Sequence, residues 1–234
     1  RVLEPKLRRD QVIGVFAGLR PLVSTDPDSP TTKLSREHVV DSPTPGFVSI
    51  AGGKYTTYRV MAEDAVNEAI NHLRKIVPDS VTETLSIVGA EGYSVLMNQI
   101  PRLAAQYSVS EETIEHLLNR YGSLLDEVLE PIKSNSKLSE QLMENLPYLK
   151  AEILYAVTHE GARSVDDVLS RRTRIAFEAS DQGLSVLDEV ANLIAGPLGW
   201  NAAAKKASMK VYKDLVDRQN DVLTNAKKSK AKVS

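Results

Sequence analysis

Apolar residues recur every three or four positions along most of the chain after residue 58, a period typical of one face of an α-helix. The first stripe consists of Ala62, Val66, Ala69, Leu73 and Val77. Pro78 ends it, because proline lacks the N–H group that a continuing helix needs. Four further stripes follow, at 114–129, 148–157, 184–194 and 200–215. Strand patterns are nearly absent after residue 90, so the second half is predicted to be helical.

Local signals mark where these helices begin. Ser110 precedes the stripe at 114–129 and is predicted to cap its helix. Pro147 is predicted to stand in the first turn of the next helix. The segment Ser164–Asp167 resembles a capping box in which aspartate replaces glutamate.

The first 58 residues carry a different pattern, in which short apolar runs alternate with proline and glycine. The runs 12–17, 38–40 and 47–50 predict short strands. Residues 42–46 predict the turn between the last two strands, and 24–33 predict a surface loop. Together with the helix that follows, they predict an α/β segment of a few strands and one long helix.

These patterns divide the chain into four parts. An α/β part covers 1–78, and a linker with a helical stretch at 92–105 covers 79–107. A helical domain covers 108–226, and 227–234 form a basic tail that is predicted to be disordered. The predicted fold class is therefore mainly α, with an α/β remnant before the helical domain.

Composition excludes several classes of protein. The 234 residues include no cysteine, which excludes disulfides and thiolate metal sites. The net charge of -2 and the pI near 6.2 disfavour a nucleic-acid binder. No apolar run approaches the roughly 20 residues that span a bilayer. The four histidines, His38, His72, His116 and His159, lack metal-ligand spacing, so no metal is expected.

The opening segment is not a signal peptide, because it has no apolar core. The chain starts at Arg1 rather than at methionine, which suggests a piece of a longer protein. The expected location is the cytoplasm.

The strongest chemical signal is a glycine-rich turn between an apolar strand and a helix. It consists of Gly52, Gly53, Lys54, Tyr55, Thr56 and Thr57. Glycines permit close approach of another backbone or of a ligand, and a helix N-terminus attracts anions. Lys54 adds a full positive charge, so the turn is typical of a site for a phosphate, a carboxylate or a polar ring edge. The alternative is a tight structural turn with the lysine in solvent. The turn is not a Walker A loop, because that motif requires glycine where this chain has Val48 and serine or threonine where it has Tyr55.

Two arginine signals accompany the turn. Arg20 lies between a glycine and a proline at the end of an apolar run, where a guanidinium can clamp an oxyanion. Arg171, Arg172 and Arg174 form a basic cluster that can bind phosphate. The preferred interpretation of this cluster is ion pairing with nearby acids, such as Asp166, Asp167 and the acidic stretch 110–152.

Four segments carry a resemblance to a known family. They are GLRPLV at 18–23, SREHVV at 35–40, GFVSIAGGKYTTYRVMAEDAV at 46–66 and VDDVLSRRTR at 165–174. In this order they closely resemble the C-terminal half of bacterial-type, FAD-dependent glycerol-3-phosphate dehydrogenases. The alpha-glycerophosphate oxidases share these motifs.

The resemblance implies that the whole enzyme oxidises sn-glycerol 3-phosphate to dihydroxyacetone phosphate, with transfer of hydride to FAD and of electrons to a quinone. It implies that Arg20 and Lys54 bind the substrate phosphate, and it assigns no catalytic residue to this part of the enzyme. The residues implied to lie against the flavin are Gly52, Gly53, Thr56 and Thr57. The G-x-G-x-x-G fingerprint of dinucleotide binding is absent, so this chain alone is expected to be inactive and to bind no FAD.

Other interpretations stay open. The chain is alternatively a helical interaction module without a catalytic role, or part of an oxidase that uses oxygen. A helix-turn-helix at 110–125 is disfavoured by the acidity of that stretch. The basic tail allows peripheral contact with an anionic membrane, although a solvated end is the simpler interpretation.

Overall fold

The structure is a computed structural model of the chain, and it describes residues 8, 11–14, 18, 19, 23, 37–73 and 75–230. These residues fall into two compact units. One lies within Ala17–Ser86, and the other within Arg1–Phe16 and Ile87–Ser234. We call them the hairpin unit and the helical unit. The four-part domain division expected from the sequence stays a prediction.

The hairpin unit is built on two antiparallel strands, as the apolar runs predict. Strand β1 covers His38–Thr44 and β2 covers Phe47–Gly52, with His38 opposite Gly52 and Thr44 opposite Phe47. The predicted turn at 42–46 is too long, because β1 continues to Thr44. The pairing of the two strands shifts in register between Asp41 and Thr44, and this irregularity accommodates Pro43, which has no N–H to donate to the neighbouring strand.

Helix α1, Tyr58–Asn71, packs against both strands. The prediction that it continues to Val77 is wrong. Its C-cap is His72, whose Nε2 lies 2.7 Å from Ser42 Oγ on β1. The predicted stripe is poorly covered along its whole length, since Val66 within α1 is 56% exposed and Leu73 beyond it is 54% exposed.

The strand predicted at 12–17 is not formed at its described residues. Residues 12–14 have no regular secondary structure, and the side chains of Val12 and Ile13 are 47% and 45% exposed. An apolar run becomes a buried strand only where a neighbouring strand or helix covers it. Residues 15–17 and the predicted loop at 24–33 lie outside the described residues.

The first part of the helical unit holds four short helices. They are α2 Tyr93–Met97, α3 Ile100–Tyr107, α4 Glu111–Tyr121 and α5 Leu125–Leu129. The Ser110 cap is confirmed, since its Oγ accepts a hydrogen bond from the Thr113 N–H at 3.1 Å. The predicted stripe at 114–129 is split between α4 and α5 by Gly122. This glycine has a φ of +58°, and a Cβ there would stand 1.9 Å from the carbonyl oxygen of Gly89.

Four more helices complete the unit. They are α6 Lys150–Thr158, α7 Ile175–Glu178, α8 Leu187–Ala195 and α9 Ala202–Lys230. Helix α6 starts later than predicted, because Leu149 forms an isolated β-bridge with Gln141 and Pro147 lies outside the helix. Helix α9 includes the first four residues of the segment predicted as a disordered tail, since alanine and lysine are strong helix formers.

The capping box predicted at Ser164–Asp167 is half formed. Ser164 Oγ accepts from the Asp167 N–H at 3.0 Å, whereas the Asp167 carboxylate accepts from the N–H of Arg163 instead of that of Ser164. A π-helical turn at Asp167–Arg172 follows this start.

Two apolar clusters fill the helical unit. One packs α3, α4 and α5 against α6, around the fully buried Ile114, Leu117 and Leu125. The other packs α6 and α8 against α9 and the π-helical turn, around Ile153, Val190 and Tyr212. The mainly helical fold class is thus confirmed.

Candidate functional site

The Gly52–Gly53 turn needs glycine for reasons within the chain itself. Their φ angles are +76° and +82°, which side chains rarely adopt. A Cβ on Gly52 would lie 2.7 Å from the carbonyl oxygen of Glu37, and one on Gly53 would lie 2.6 Å from the sulfur of Met61. The turn therefore brings the end of β2 close to the chain before β1 and to α1.

Lys54 follows the turn in extended conformation, with φ -132° and ψ 147°. A 3₁₀ turn at Tyr55–Thr57 then leads into α1. The N–H and the hydroxyl of Thr57 both donate to the carbonyl oxygen of Lys54, each at 3.0 Å. No side chain caps either the 3₁₀ turn or α1. The N–H groups of Thr57 and Tyr58 are bonded within the turn, to the carbonyl oxygens of Lys54 and Tyr55, so any N–H that a ligand could use lies before them at the start of the 3₁₀ turn.

A hollow of about 450 Å³ opens beside this turn. Its lining consists of Leu19, Gly52, Gly53, Lys54, Tyr55, Tyr58 and Met61. The rings of Tyr55 and Tyr58 stack with centroids 5.7 Å apart, and Tyr55 is 89% exposed. We call it the tyrosine hollow; its apolar walls and open backbone suit a flat, partly polar ring.

A second hollow, also of about 450 Å³, lies on the other side of Lys54. It is lined by Glu37, His38, Lys54, Thr57, Val60 and Asp64. His38 Nε2 lies 2.7 Å from Asp64 Oδ2, so this contact joins β1 to α1. We call it the acidic hollow, because its two carboxylates outnumber the one lysine.

The predicted site residues are brought together only in part. Gly52, Gly53 and Lys54 share the tyrosine hollow, and Thr57 borders the acidic hollow. Thr56 is exposed and lines neither. Arg20 lies outside the described residues, so its pairing with Lys54 stays a prediction.

Sequence reasoning missed the contact between His38 and Asp64. These residues are 26 positions apart, and each alone is an ordinary polar residue. The usable signal was the place of His38 in the SREHVV segment, on the strand that pairs with the one leading into the glycine turn.

Of the arginine cluster, Arg171 pairs with acids, as predicted, whereas Arg172 Nε donates to the backbone carbonyl oxygen of Glu160 at 2.9 Å. Arg171 binds Asp167 through Nε at 2.7 Å and also contacts Asp166. Burial alone would raise the pKa of Asp167, but hydrogen bonds from the Arg163 N–H, Arg171 and Ser164 outweigh it and lower the pKa to about 2. The partners are thus the adjacent aspartates rather than the acids of 110–152. Among the described residues, no group of acids or histidines could hold a metal ion.

Glu152 is a buried carboxylate that the sequence did not reveal. It is 1% exposed, and its Oε2 accepts from Tyr121 Oη at 3.0 Å and lies 3.2 Å from His116 Nε2. Its Oε1 accepts from the Leu149 N–H at 2.8 Å. Arg120 Nε stands 3.8 Å from Oε2. These contacts join α4 to α6 through polar groups inside the apolar core.

Residues 80–205 match the family described as the C-terminal domain of alpha-glycerophosphate oxidase. The chain belongs to this family. The glycerol-3-phosphate dehydrogenase 2 of Mycobacterium tuberculosis H37Rv is 45% identical over 202 residues, which cover 86% of this chain and 34% of the relative. The glycerol-3-phosphate dehydrogenase of Mycobacterium leprae is 41% identical over 218 residues, covering 93% of this chain and 37% of the relative.

A solved structure agrees with these relatives. The glycerol-3-phosphate dehydrogenase from Bacillus halodurans, in complex with FAD, superposes with a TM-score of 0.61 at 25% identity. The match covers 72% of this chain and 35% of that one. The chain therefore spans about a third of the length of the proteins it matches. The family resemblance inferred from the four motifs is confirmed.

Within the part of the chain that the structure describes, no helix is both long and apolar enough to cross a membrane.

Proposed function

We propose that this chain is the C-terminal part of an FAD-dependent glycerol-3-phosphate dehydrogenase, which oxidises sn-glycerol 3-phosphate to dihydroxyacetone phosphate. The observation that carries the proposal is the 45% identity to a glycerol-3-phosphate dehydrogenase over 202 residues. The aligned chain includes an intact glycine turn with its lysine.

The residues around the tyrosine hollow fit a flavin. Its walls are the stacked rings of Tyr55 and Tyr58, the thioether of Met61 and the backbone of the glycine turn. The uncapped helix start offers N–H donors to ring oxygen and nitrogen atoms. When bound, FAD takes up the hydride that the substrate loses. Gly52, Gly53, Thr56 and Thr57 are proposed as the contacts on this chain.

The substrate phosphate is proposed to bind Lys54 and Arg20. A phosphomonoester carries nearly two negative charges at neutral pH, which one ammonium and one guanidinium balance. Lys54 is exposed between the two hollows. The carboxylates of Glu37 and Asp64 in the acidic hollow repel a dianion, so the phosphate is proposed to approach Lys54 from the tyrosine hollow.

The test is steady-state kinetics of the whole protein with Lys54→Met or Arg20→Leu. Because one charge-assisted hydrogen bond contributes about 1.5–3 kcal/mol, we expect kcat/KM for glycerol 3-phosphate to fall by roughly ten- to a hundredfold. Activity with glycerol, which has no phosphate, should fall far less, and flavin should stay bound. Lys75→Met is the matched control, since Lys75 is exposed and lies away from both hollows. Equal losses on both substrates would refute a role in phosphate binding.

Two electron acceptors are compatible with the family. Quinone is proposed as the acceptor, as in the dehydrogenases. The match to a domain of alpha-glycerophosphate oxidase favours oxygen as the second candidate. Measurement of hydrogen peroxide formed per substrate oxidised, with and without a soluble quinone, separates them. Stoichiometric peroxide in the presence of quinone would identify an oxidase.

The protein is proposed to be cytoplasmic, with peripheral contact to the inner face of the membrane. The segment 226–234 carries four lysines and no acid, and each lysine near an anionic surface contributes about 1 kcal/mol. Cosedimentation with anionic and with neutral vesicles, at low and high salt, tests this. Equal binding to both vesicle types would exclude electrostatic attachment.

A further inference from the structure

A hollow of about 640 Å³ opens on the helical unit, around the VDDVLSRRTR segment. Its lining includes three arginines, Arg120, Arg171 and Arg174, together with Phe177 and Glu178. The site proposed above uses none of these residues. The hollow is large enough for a small organic molecule.

In the described part of the chain, the terminal nitrogens of two of the three guanidinium groups make no hydrogen bond to an acid. Arg171 is already bound by Asp166 and Asp167. Arg120 Nε donates to Tyr121 Oη at 3.0 Å and stands 3.8 Å from Glu152 Oε2, and Glu160 also acts on this guanidinium electrostatically. Its two terminal nitrogens make no hydrogen bond with the described residues. Arg174 is held through its backbone N–H, which donates to Tyr148 Oη at 3.1 Å. Its side chain makes no hydrogen bond or ion pair with the described part of the chain.

The nearby carboxylates are occupied by other donors. Glu178 Oε2 accepts from Tyr148 Oη at 3.0 Å. Glu152, behind Arg120, is bound by Tyr121, His116 and the Leu149 N–H. Glu178 is the one acid among the residues that line the hollow, so its charge limits the number of negative charges that a ligand can carry.

The hydroxyl groups of the lining do not compete for a ligand. Ser170 Oγ donates to Asp166 Oδ1 at 2.8 Å, and Thr173 Oγ1 donates to the Val168 carbonyl oxygen at 2.8 Å. The π-helical turn Asp167–Arg172 sets this arrangement, because it directs Ser170 and Arg171 towards Asp166 and Asp167. Turns of this kind occur frequently at functional sites.

We propose that this hollow binds a small organic oxyanion. Its carboxylate or phosphate oxygens accept hydrogen bonds from Arg120 and Arg174, for which the planar fork of a guanidinium is suited. Its carbon part lies against Phe177. The proposal concerns the helical unit alone and does not depend on the reaction proposed above.

Titration calorimetry on the purified protein tests the proposal, with citrate and inorganic phosphate as probes and sodium chloride at equal ionic strength as the reference. We expect saturable binding of one or both probes at one site. Arg174→Gln should weaken binding about tenfold, since a charge-assisted bond is lost. Glu178→Gln should strengthen binding several-fold, because it removes the repulsive charge while its amide oxygen still accepts from Tyr148. Arg102→Gln, an exposed arginine on α3, is the matched control and should change nothing.

The opposite directions of the two variants keep the test decisive. General stabilisation by these salts acts on every variant equally and yields no saturable heat. If circular dichroism shows that Arg174→Gln does not fold, the affinities of Arg120→Lys and Glu178→Gln are compared with that of the parent protein instead. Absence of saturable binding, or equal affinities of Arg174→Gln, Glu178→Gln and the parent protein, would overturn the proposal.

Discussion

The hydroxyl of Tyr121 lies at the centre of the buried polar cluster, and its removal gives a sharp stability prediction. It donates to Glu152 Oε2 at 3.0 Å and accepts from Arg120 Nε at 3.0 Å. Burial, followed by the proximity of Glu152, raises the pKa of Tyr121 well above its usual range. The phenol is therefore protonated at neutral pH and acts as a donor to the carboxylate.

Tyr121→Phe leaves Arg120 Nε without its phenol acceptor, and it removes a hydrogen bond to a carboxylate that water cannot reach. Such bonds contribute about 1.5–3 kcal/mol. His116 and the Leu149 N–H still contact Glu152, so the loss stays below the roughly 3–5 kcal/mol of a buried charge deprived of its partner. We expect the free energy of unfolding to fall by about 2 kcal/mol.

Tyr155→Phe is a matched control from the same aromatic pair. The rings of Tyr121 and Tyr155 meet edge to face at 5.5 Å, and Tyr155 Oη also donates to a carboxylate, Glu127 Oε2, at 3.2 Å. Glu127 is exposed, so water replaces the lost donor. The expected loss is below about 1 kcal/mol.

Urea unfolding monitored by tryptophan fluorescence measures both variants. Trp200 is the single tryptophan of the sequence and packs against the core of the helical unit, so its signal reports the unfolding of that unit. The effect should appear as a lower midpoint at unchanged slope. Equal losses in the two variants, or none in Tyr121→Phe, would refute the argument that burial of the acceptor sets the magnitude.

Three further outcomes are expected. Gly122→Ala should lower the free energy of unfolding by more than about 2 kcal/mol, because its Cβ would stand 1.9 Å from the Gly89 carbonyl oxygen. Gly92→Ala has open space around its Cβ, so it should lower the free energy of unfolding only by the backbone strain of its positive φ. Urea unfolding followed by Trp200 fluorescence measures both variants. Burial raises the pKa of Glu160 above its ordinary value of 4.5, so stability should fall as pH rises from about 4.5 through the higher folded-state pKa. Glu160→Gln should remove this fall in the free energy of unfolding, measured by urea titrations at several pH values. A fall of the same size in Glu160→Gln would contradict the prediction. Finally, this chain purified alone should lack flavin absorbance and dehydrogenase activity, because the dinucleotide fingerprint is absent from its sequence.

Local features of the fold were predictable because the signals lie close together in sequence. The Ser110 cap depends on a residue three positions away, and the hairpin depends on two apolar runs joined by a short turn. The contact between His72, the C-cap of α1, and Ser42 was not predictable, because the two residues lie 30 positions apart. Periodicity marks which residues could be covered, but only the packed structure decides which of them are.

The buried cluster at Glu152 illustrates the same limit for polar residues. In sequence, Glu152 is an ordinary glutamate near a helix start, where acids are common. Its partners Tyr121 and His116 precede it by 31 and 36 positions, so only the packing of α4 on α6 reveals that it is buried.

The glycine turn was found in the sequence, and the structure shows which of two reasons for its glycines applies within the chain. The sequence interpretation allowed either another part of the backbone or a ligand to approach them closely. Glu37 and Met61 occupy the space that side chains on Gly52 and Gly53 would need, so the chain itself requires glycine there. The features that point to a ligand are instead the exposed Lys54, the uncapped helix start and the stacked tyrosines beside it. Substitution of Lys54 therefore examines ligand binding directly, whereas substitution of either glycine would first disturb the packing of α1 against the hairpin.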